Sequence, residues 1–476
     1  MLSAGRRIDI LPAVSVLLNS FPFLVRFLQK KWKKRLFRVI CTGFWGRLSV
    51  EYFEIQGGGV VNGEIVTSGN KNEALPVIAA ALLSKGTVVL DNVPDILDVR
   101  NMLEIASDLG VSVTKISKNK IEINAANLQR KPLDRDLCGK VRTSVLFAGP
   151  LLARNGAVIL PPPGGDVIGR RRLDTHFLGF KQLGADYTVE GEGYEIHAEK
   201  LSGADIFLDE ASVTGTENIV MAAVLAEGRT TIMNAATEPH VQGLCNFLNK
   251  MGAKISGVGS STLSIDGVSS LSGCTHTIGF DYIEAGSYIA LAAMTGGELL
   301  IKDSARDNTL RMVLHTFGKL GIRTEKRGND IFVPSQKMAV VKEMNNAIAK
   351  IDDGTWPSFP SDLMSIAIVA ATQAEGTVLF FEKMFESRLF FVDRLVAMGA
   401  QIILCDPHRV VVSGASQLHG ASLDSPDIRA GMSMLMAAAA AKGRSKIYNV
   451  RQIDRGYESV ESKLTGIGIT IERKNG

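Results

Sequence analysis

Cysteine is scarce and unpatterned in this chain: five residues, at 41, 138, 245, 274 and 405, an odd number with no C-x-x-C pair. Neither a disulfide framework nor a zinc site is indicated, and a reducing, cytoplasmic setting fits best. Charge imbalance is missing too. A net charge of +4 gives no reason to expect nucleic acid as a partner, so any basic residues that matter act locally. No apolar run reaches the roughly 20 residues that a membrane-spanning helix needs. The nearest, Ile10 to Leu28, is broken by Asn19, Pro22 and Arg26 and runs into Lys30-Lys31-Trp32-Lys33-Lys34-Arg35. Met1 to Gly46 has Asp9 as its one acidic residue. It reads as a start codon assigned upstream, an organellar presequence or a peripheral amphipathic anchor, and residues 1–49 are set apart as an N-terminal extension outside the main fold. No Gly-rich dinucleotide fingerprint follows a strand and no residues have metal-ligand spacing, so neither cofactor nor metal is expected.

What the chain has is repetition. Six times a Gly leads a short β-branched or apolar run: Gly86 to Leu90, Gly156 to Leu160, Gly228 to Met233, Gly297 to Ile301, Gly376 to Phe381 and Gly443 to Tyr448. Each is followed some twenty to thirty residues later by an apolar-Gly-apolar step centred on Gly110, Gly184, Gly252, Gly321, Gly399 or Gly468. Copies are about 70 residues apart, longer than a solenoid rung, so each is a packed α/β unit. Periodicity makes the unit β-α-β-β-α, with helices at Ala74 to Leu83, Val99 to Leu109 and Ser433 to Lys442 among others. Ala79-Ala80-Ala81, Ala290-Leu291-Ala292-Ala293 and Ala437 to Ala441 are too apolar for a surface helix, so these helices run through the interior. A chain of 476 residues exceeds what one core accommodates, which divides the six units into two domains of three.

Charged residues recur at equivalent loops. Before the Ala-rich helices stand Lys71-Asn72, Arg142, Glu217-Asn218, Glu284, Asp362 and Asp427-Ile428-Arg429. After the Gly-led strands stand Asp166 with Arg170 and Arg171, then Glu238, Arg306-Asp307, Glu386-Ser387-Arg388 and Asp454-Arg455. Each alone reads as a solvated cap or surface pair. Recurring in register, several cations at helix N-termini make a site for a small polyanion.

Four segments carry a resemblance: Ser68-Gly69-Asn70-Lys71-Asn72-Glu73-Ala74-Leu75-Pro76, Gly164-Gly165-Asp166-Val167-Ile168-Gly169-Arg170-Arg171, Phe359-Pro360-Ser361-Asp362 and Ile453-Asp454-Arg455-Gly456-Tyr457-Glu458. In this order they resemble the UDP-N-acetylglucosamine 1-carboxyvinyltransferases, the enolpyruvyl transferases that commit this sugar nucleotide to peptidoglycan, and the similarity runs from about Phe53 to the C-terminus. The resemblance implies a two-domain inside-out α/β barrel of six repeated β-α-β-β-α units. One lobe spans 50–70 and 280–476 and the other, carrying the Asp166 loop, 71–279, with the site between them. It implies phosphoenolpyruvate and UDP-N-acetylglucosamine as substrates.

By the same resemblance Lys71, Arg171 and Arg455 hold phosphate and Arg388 and Arg429 the carboxylate, with Asn72 and Arg142 beside them. Asp362 accepts the 3-hydroxyl proton and Asp427 lies near the reacting carbons. The nucleotide sugar is met by Asn72, Arg142, Arg171, Arg172, Leu173, Asp174, Ser212, Val213, Asp362 and Met384, with His176 beside the uracil. Arg172 stands where Pro is common and Glu210 where some members carry a cation. Asp166 is the informative departure: most of the family has Cys there, the acid for C3 and the thiol that opens the epoxide of fosfomycin, so a carboxyl implies fosfomycin resistance. Pro161-Pro162-Pro163 and Gly164-Gly165 read as stem and hinge of a closing loop. Other readings stay open: an enolpyruvyl transferase acting on another uridylate or on shikimate 3-phosphate, or a catalytically silent nucleotide-binding protein. Oligomeric state is not legible.

Overall fold

The computed structural model describes residues 51–476 except 167, 170, 191 and 192. The N-terminal extension and Arg170 therefore lie outside the described residues. All six Gly-led runs are strands: Thr87–Asp91, Ala157–Leu160, Arg229–Met233, Glu298–Lys302, Gly376–Phe381 and Arg444–Tyr448. Each leads to a helix that stops at the apolar-Gly-apolar step, where the six glycines take φ between 77° and 106°. That left-handed turn is what the recurring Gly serves, since any side chain there is strained.

The unit is one strand richer than expected. In five sheets the Gly-led strand pairs antiparallel with a hairpin strand on one side and parallel with a short strand on the other: Thr275–Thr277, Asp205–Phe207, Asn62–Val66, Ala349–Asp352 or Ser422–Asp424. Three to five residues are too few for periodicity to register. Among the described residues, the sheet built on Ala157–Leu160 has three strands and no such partner. In the last unit the inner hairpin position is filled by Glu51–Gln56, antiparallel to Arg444–Tyr448, with Thr470–Asn475 on its far side. The start of the described chain thus completes the final unit.

Six helices form the interior: α1 (Lys71–Ala80), α2 (Ala148–Asn155), α3 (Val213–Ala223), α4 (Tyr282–Met294), α5 (Met364–Ala371) and α6 (Ile428–Ala440). Every residue of α4 and α5 is buried, and all but one in α1 and α6. Helices without a polar face are stable only through such packing. Two of them start earlier than their apolar periodicity shows, because their caps are polar. The Asn70 side chain accepts from Glu73 N ahead of α1, and Asp427 accepts from Arg429 N and Ala430 N ahead of α6. Likewise the second helix expected at Val99 to Leu109 is Leu97–Asp108.

Two hydrophobic cores result, one from Phe53–Ile65 together with Tyr282–Ile471, the other from Ala74–Ile278. Two connections join them and meet each other: Asn70 N donates to Gly279 O (2.7 Å) and Asp281 N to Ser68 O (2.9 Å). Among the described residues no helix is long and apolar enough to cross a membrane.

Candidate active site

One cavity of about 250 Å³ lies at the starts of four interior helices and of the 3-10 turns that lead into the other two, lined by Lys71 and Asn72 (α1), Val213 and Thr214 (α3), Tyr282 (α4), Asp427 to Arg429 (α6), Arg142 in the turn before α2 and Asp362 in the turn before α5. Asn70, Ser212, Asp281 and Asp427 cap four of these helices with their side chains, and the helix dipoles add positive potential at the cavity. Loops and the first turns of outer helices from five units complete the lining with Asp98, Asp166, Ile168, Arg171, Glu238, His240, Met384, Phe385, Arg388 and Arg455. The loop of the remaining unit is absent from it: Arg306 pairs with Asp303 on the surface.

Six cations, Lys71, Arg142, Arg171, Arg388, Arg429 and Arg455, line the cavity with four aspartates and two glutamates, and burial raises both glutamate carboxyls, a balance suited to an anionic ligand. The aspartates are distributed over them. Asp98, 2 % exposed, holds Lys71 Nζ at 2.8 Å and Arg455 Nε at 2.9 Å, and Arg455 also pairs with Asp166. Asp362 spans two guanidiniums, Arg388 Nη2 and Arg429 Nη2, each at 3.2 Å. Arg429 lies over the Tyr457 ring, 5.4 Å from its centroid, and the Tyr457 hydroxyl is 3.1 Å from Ser287 Oγ, so its fork is fixed from behind.

Protonation follows from these pairings. Burial acts to raise the Asp362 carboxyl, but Arg429, Arg388 and Lys71 outweigh it and hold the pKa well below the usual carboxylate range. Asp98 is lowered in the same way against burial by Lys71 and Arg455. Burial raises Asp427 although Arg388 opposes it. Burial, then the neighbouring Arg171, pushes Arg142 down to about 10; its guanidinium donates to Arg171 O at 2.6 Å.

The Asp166 loop is folded over the cavity. Ile168 O accepts from Ser387 N at 3.1 Å, Gly164 N donates to Cys138 O at 2.9 Å, and Gly169, at φ 137°, lies against the Glu386 carboxylate where no Cβ fits. Of the residues singled out by resemblance, Lys71, Asn72, Arg142, Asp166, Arg171, Val213, Asp362, Met384, Arg388, Asp427, Arg429 and Arg455 all line the cavity. Arg172, Leu173, Asp174 and Ser212 do not. Arg172 pairs with Asp174 and Asp209 on the surface, while Ser212 caps α3, its hydroxyl accepting from Gly215 N at 3.2 Å.

His176 is 1 % exposed and also falls outside the lining. Its ring bridges Thr214 Oγ1 (3.2 Å) and Asn218 Nδ2 (3.0 Å), and Asn218 in turn accepts from Gly149 N and donates to Val145 O. Sequence reasoning passed over Asp98, His240, Tyr282 and Trp356, all of which line the cavity. Only Asp98 left a trace, as an acid that follows a Gly-led strand as the residues already singled out do, here in the first turn of Leu97–Asp108. Glu382 was also passed over; it accepts from Ser361 Oγ at 2.9 Å and from Met384 N and Phe385 N, shaping the loop that delivers Arg388.

The family model for EPSP synthase (3-phosphoshikimate 1-carboxyvinyltransferase) matches residues 55–464. UDP-N-acetylglucosamine 1-carboxyvinyltransferase of Treponema denticola is 57% identical over 421 residues, 88% of this chain and 98% of that protein. The protein of the same name from Bacteroides fragilis is 51% identical over 431 residues, 88% and 99% of the two chains. Among solved structures, the enolpyruvyl transferase NikO from Streptomyces tendae superposes with a TM-score of 0.80 at 22% identity, covering 90% of this chain and all of that one. EPSP synthase from Acinetobacter baumannii gives 0.69 at 19% identity, with 90% and 100% covered. A match over most of its length, together with relatives that share more than half its residues, makes this chain a member of the EPSP synthase family of enolpyruvyl transferases.

Proposed function

We propose that the protein transfers the enolpyruvyl group of phosphoenolpyruvate to the 3-hydroxyl of UDP-N-acetylglucosamine with release of phosphate, the first committed step of peptidoglycan synthesis. One observation supports this above others: the cations form two separate clamps, each occupied by protein carboxylates. Asp98 and Asp166 sit on Lys71 and Arg455, and Asp362 sits across Arg388 and Arg429. Phosphoenolpyruvate carries one anion for each. Its phosphate suits Lys71, Arg455 and the neighbouring Arg171, and its carboxylate suits the paired forks of Arg388 and Arg429.

Competition for these cations then prepares the proton transfers. While Arg388 and Arg429 hold it, Asp362 is too weak a base. Once the substrate carboxylate claims them, its pKa rises and it can accept the hydroxyl proton as oxygen attacks C2. Asp166, freed from Arg455 as the phosphate takes that cation, is the acid that delivers a proton to C3. Asp166, now a carboxylate, takes a proton back from the new methyl group as the C2–O bond to phosphate breaks, which restores the C2–C3 double bond and releases phosphate. Asp427, held at the head of α6 and raised by burial, stands beside the reacting carbons. The nucleotide lies along Asn72, Arg142, the 171–174 segment, the start of α3 and Met384. The two cores would be lobes, 50–70 with 280–476 and 71–279, closing on the substrates, and the cysteine pattern supports a cytoplasmic location.

Phosphate release in the presence of phosphoenolpyruvate should require UDP-N-acetylglucosamine, with UMP and shikimate 3-phosphate inactive. Release with shikimate 3-phosphate and not with the nucleotide sugar would overturn the assignment.

A further inference from the structure

Behind the Arg388 loop two acids meet in the core. The Gly-led strand Gly376–Phe381 runs parallel to the edge strand Ala349–Asp352, with Phe381 opposite Asp352. The residue that follows each strand is an acid, Glu382 and Asp353, 0 % and 2 % exposed. Their carboxyls hydrogen-bond each other, and Asp353 Oδ2 is buried where no N–H or hydroxyl donor reaches it. Ionised carboxylates only accept, so this contact requires one proton between the two acids. Burial, then the contact with Asp353, pushes the Glu382 carboxyl well above the ordinary carboxylate range, against the pull of Arg388.

The pair is tied to both segments that bring charge to this side of the cavity. Glu382 Oε1 accepts from Met384 N at 3.2 Å and Phe385 N at 3.1 Å, and Asp353 Oδ1 accepts from Lys383 N. Ser361 Oγ donates to Glu382 at 2.9 Å. The Ser361 carbonyl in turn accepts from Arg388 Nη1 at 3.2 Å, while Arg388 Nη2 holds Asp362. On the other side His408 O accepts from Glu382 N at 2.8 Å and His408 Nδ1 donates to Glu382 O at 2.7 Å; the Lys383 ammonium is taken by Asp352. With one proton the two acids carry a single negative charge. Without it they carry two, which repel each other and set a competing anion against Arg388, the cation assigned to the substrate carboxylate.

We propose that Glu382 and Asp353, sharing one proton, are positioning residues that fix the aim of Arg388 and of the Asp362 turn and keep a second anion from competing with the substrate carboxylate. The inference rests on the function proposed above and adds two acids that act only through Ser361 and Arg388.

Kinetics from neutral to alkaline pH test it, with the wild type, Glu382→Gln and Asp353→Asn. In the wild type KM for phosphoenolpyruvate should rise as the pair gives up its proton, with kcat less affected. Glu382→Gln donates to Asp353 at every pH, so it should keep the neutral-pH KM within about threefold and lose that rise. Asp353→Asn is as conservative in shape, but its amide donates to the Glu382 carboxylate and favours the ionised form. Its KM should already be raised about 10-fold at neutral pH. A structural role alone would make the two amide variants equivalent, so equal pH profiles for them would overturn the proposal, as would a wild-type KM unchanged on raising the pH. An infrared difference spectrum, wild type against Glu382→Gln at neutral pH, reads the proton without turnover. A band of a protonated carboxyl is expected in the wild type, and its absence would overturn the shared proton. With that band present, turnover of shikimate 3-phosphate in place of the nucleotide sugar would overturn the functional assignment and not the pair.

Discussion

Four of the six units share a stitch that the other two lack. In the four, the residue after the Gly-led strand turns left-handed: Asn92, Asn234, Asp303 and Asn449, with φ of 54° to 58°. Three of them use the side-chain amide to bind the carbonyl just beyond the parallel edge strand, Asn92 to Ile278 O (2.9 Å), Asn234 to Leu208 O (3.0 Å) and Asn449 to Ser425 O (2.8 Å). In the other two, Pro161 and Glu382 occupy the position. Proline is barred from positive φ, and its sheet has no edge strand to stitch to, only Leu133 N donating to Ile159 O at 3.1 Å. These two units supply the Asp166 and Arg388 loops, which touch each other through Ser387 N and Ile168 O. The regular units bring Asp98, Glu238 and Arg455 to the cavity, and the other two bring Asp166 and Arg388. Local rules fail where function needs them to.

The strongest test of that division is in the unit that carries Asp166. Asp166→Ala should lose about 10²- to 10⁴-fold in turnover, the range for a general acid. Asp166→Cys should stay active and become sensitive to fosfomycin, because a thiolate opens the epoxide and a carboxylate is a far weaker nucleophile. Time-dependent inactivation with mass detection of the adduct reads this directly. Normal turnover by Asp166→Ala, or alkylation of the wild type in the cavity, would remove Asp166 from the chemistry and the comparison with it.

The regular units predict a different phenotype. Lys71→Ala or Arg455→Ala removes fixed charge from the proposed phosphate clamp and should cost about 10²-fold in turnover. Nucleotide affinity measured by calorimetry should survive in both. Wild-type rates in either variant would show that the clamp is misassigned.

How much of this was legible depended on whether a residue's neighbours lie close in the chain. The Gly-led strands, the left-handed glycine steps and the buried Ala-rich helices are local patterns and read directly. The cation set was visible because it recurs in register. Glu51–Gln56 serving the last unit, the short edge strands and the Asp98 bridge between Lys71 and Arg455 are non-local. No periodicity marks them. Glu217 and Glu238 stand in the recurring charged set, but that burial raises both carboxyls is a consequence of packing that no local pattern shows. Ser212 and His176 were expected at the nucleotide; the first caps a helix and the second sits inside the framework.

His176 joins the helix after the irregular loop to α3, and its protonation gives a smaller, thermodynamic test. Burial, with Arg142 nearby, pushes its pKa down to about 3, below the ordinary value of about 6.5. A depressed folded-state pKa gives stability that is present above pH 6.5 and lost as pH falls towards 3. Between pH 7 and 4.5 this loss amounts to about 2 to 3 kcal/mol. His176→Gln lacks it, so the gap in unfolding free energy between wild type and variant should narrow by that amount at pH 4.5. A gap independent of pH would mean that the imidazole is freely protonated in the folded protein.

The smallest effect is expected where the stitch is incomplete. Asp303 has the left-handed φ of its counterparts, 54°, but a carboxylate cannot donate to the carbonyl of Thr67, the residue just after the edge strand Asn62–Val66. Asp303→Asn supplies the missing amide and should add about 0.5 to 1 kcal/mol, the worth of a modest hydrogen bond. Against this stands the lost pair with Arg306, whose side chains are 63% and 53% exposed and which contributes little. A rise of about 1 °C in melting temperature is the expected reading. Turnover should not change, because this unit's loop is the one that does not reach the cavity. A lower melting temperature would show that the side-chain amide is incidental to the turn. A changed turnover would show that a unit whose loop misses the cavity is still coupled to the chemistry.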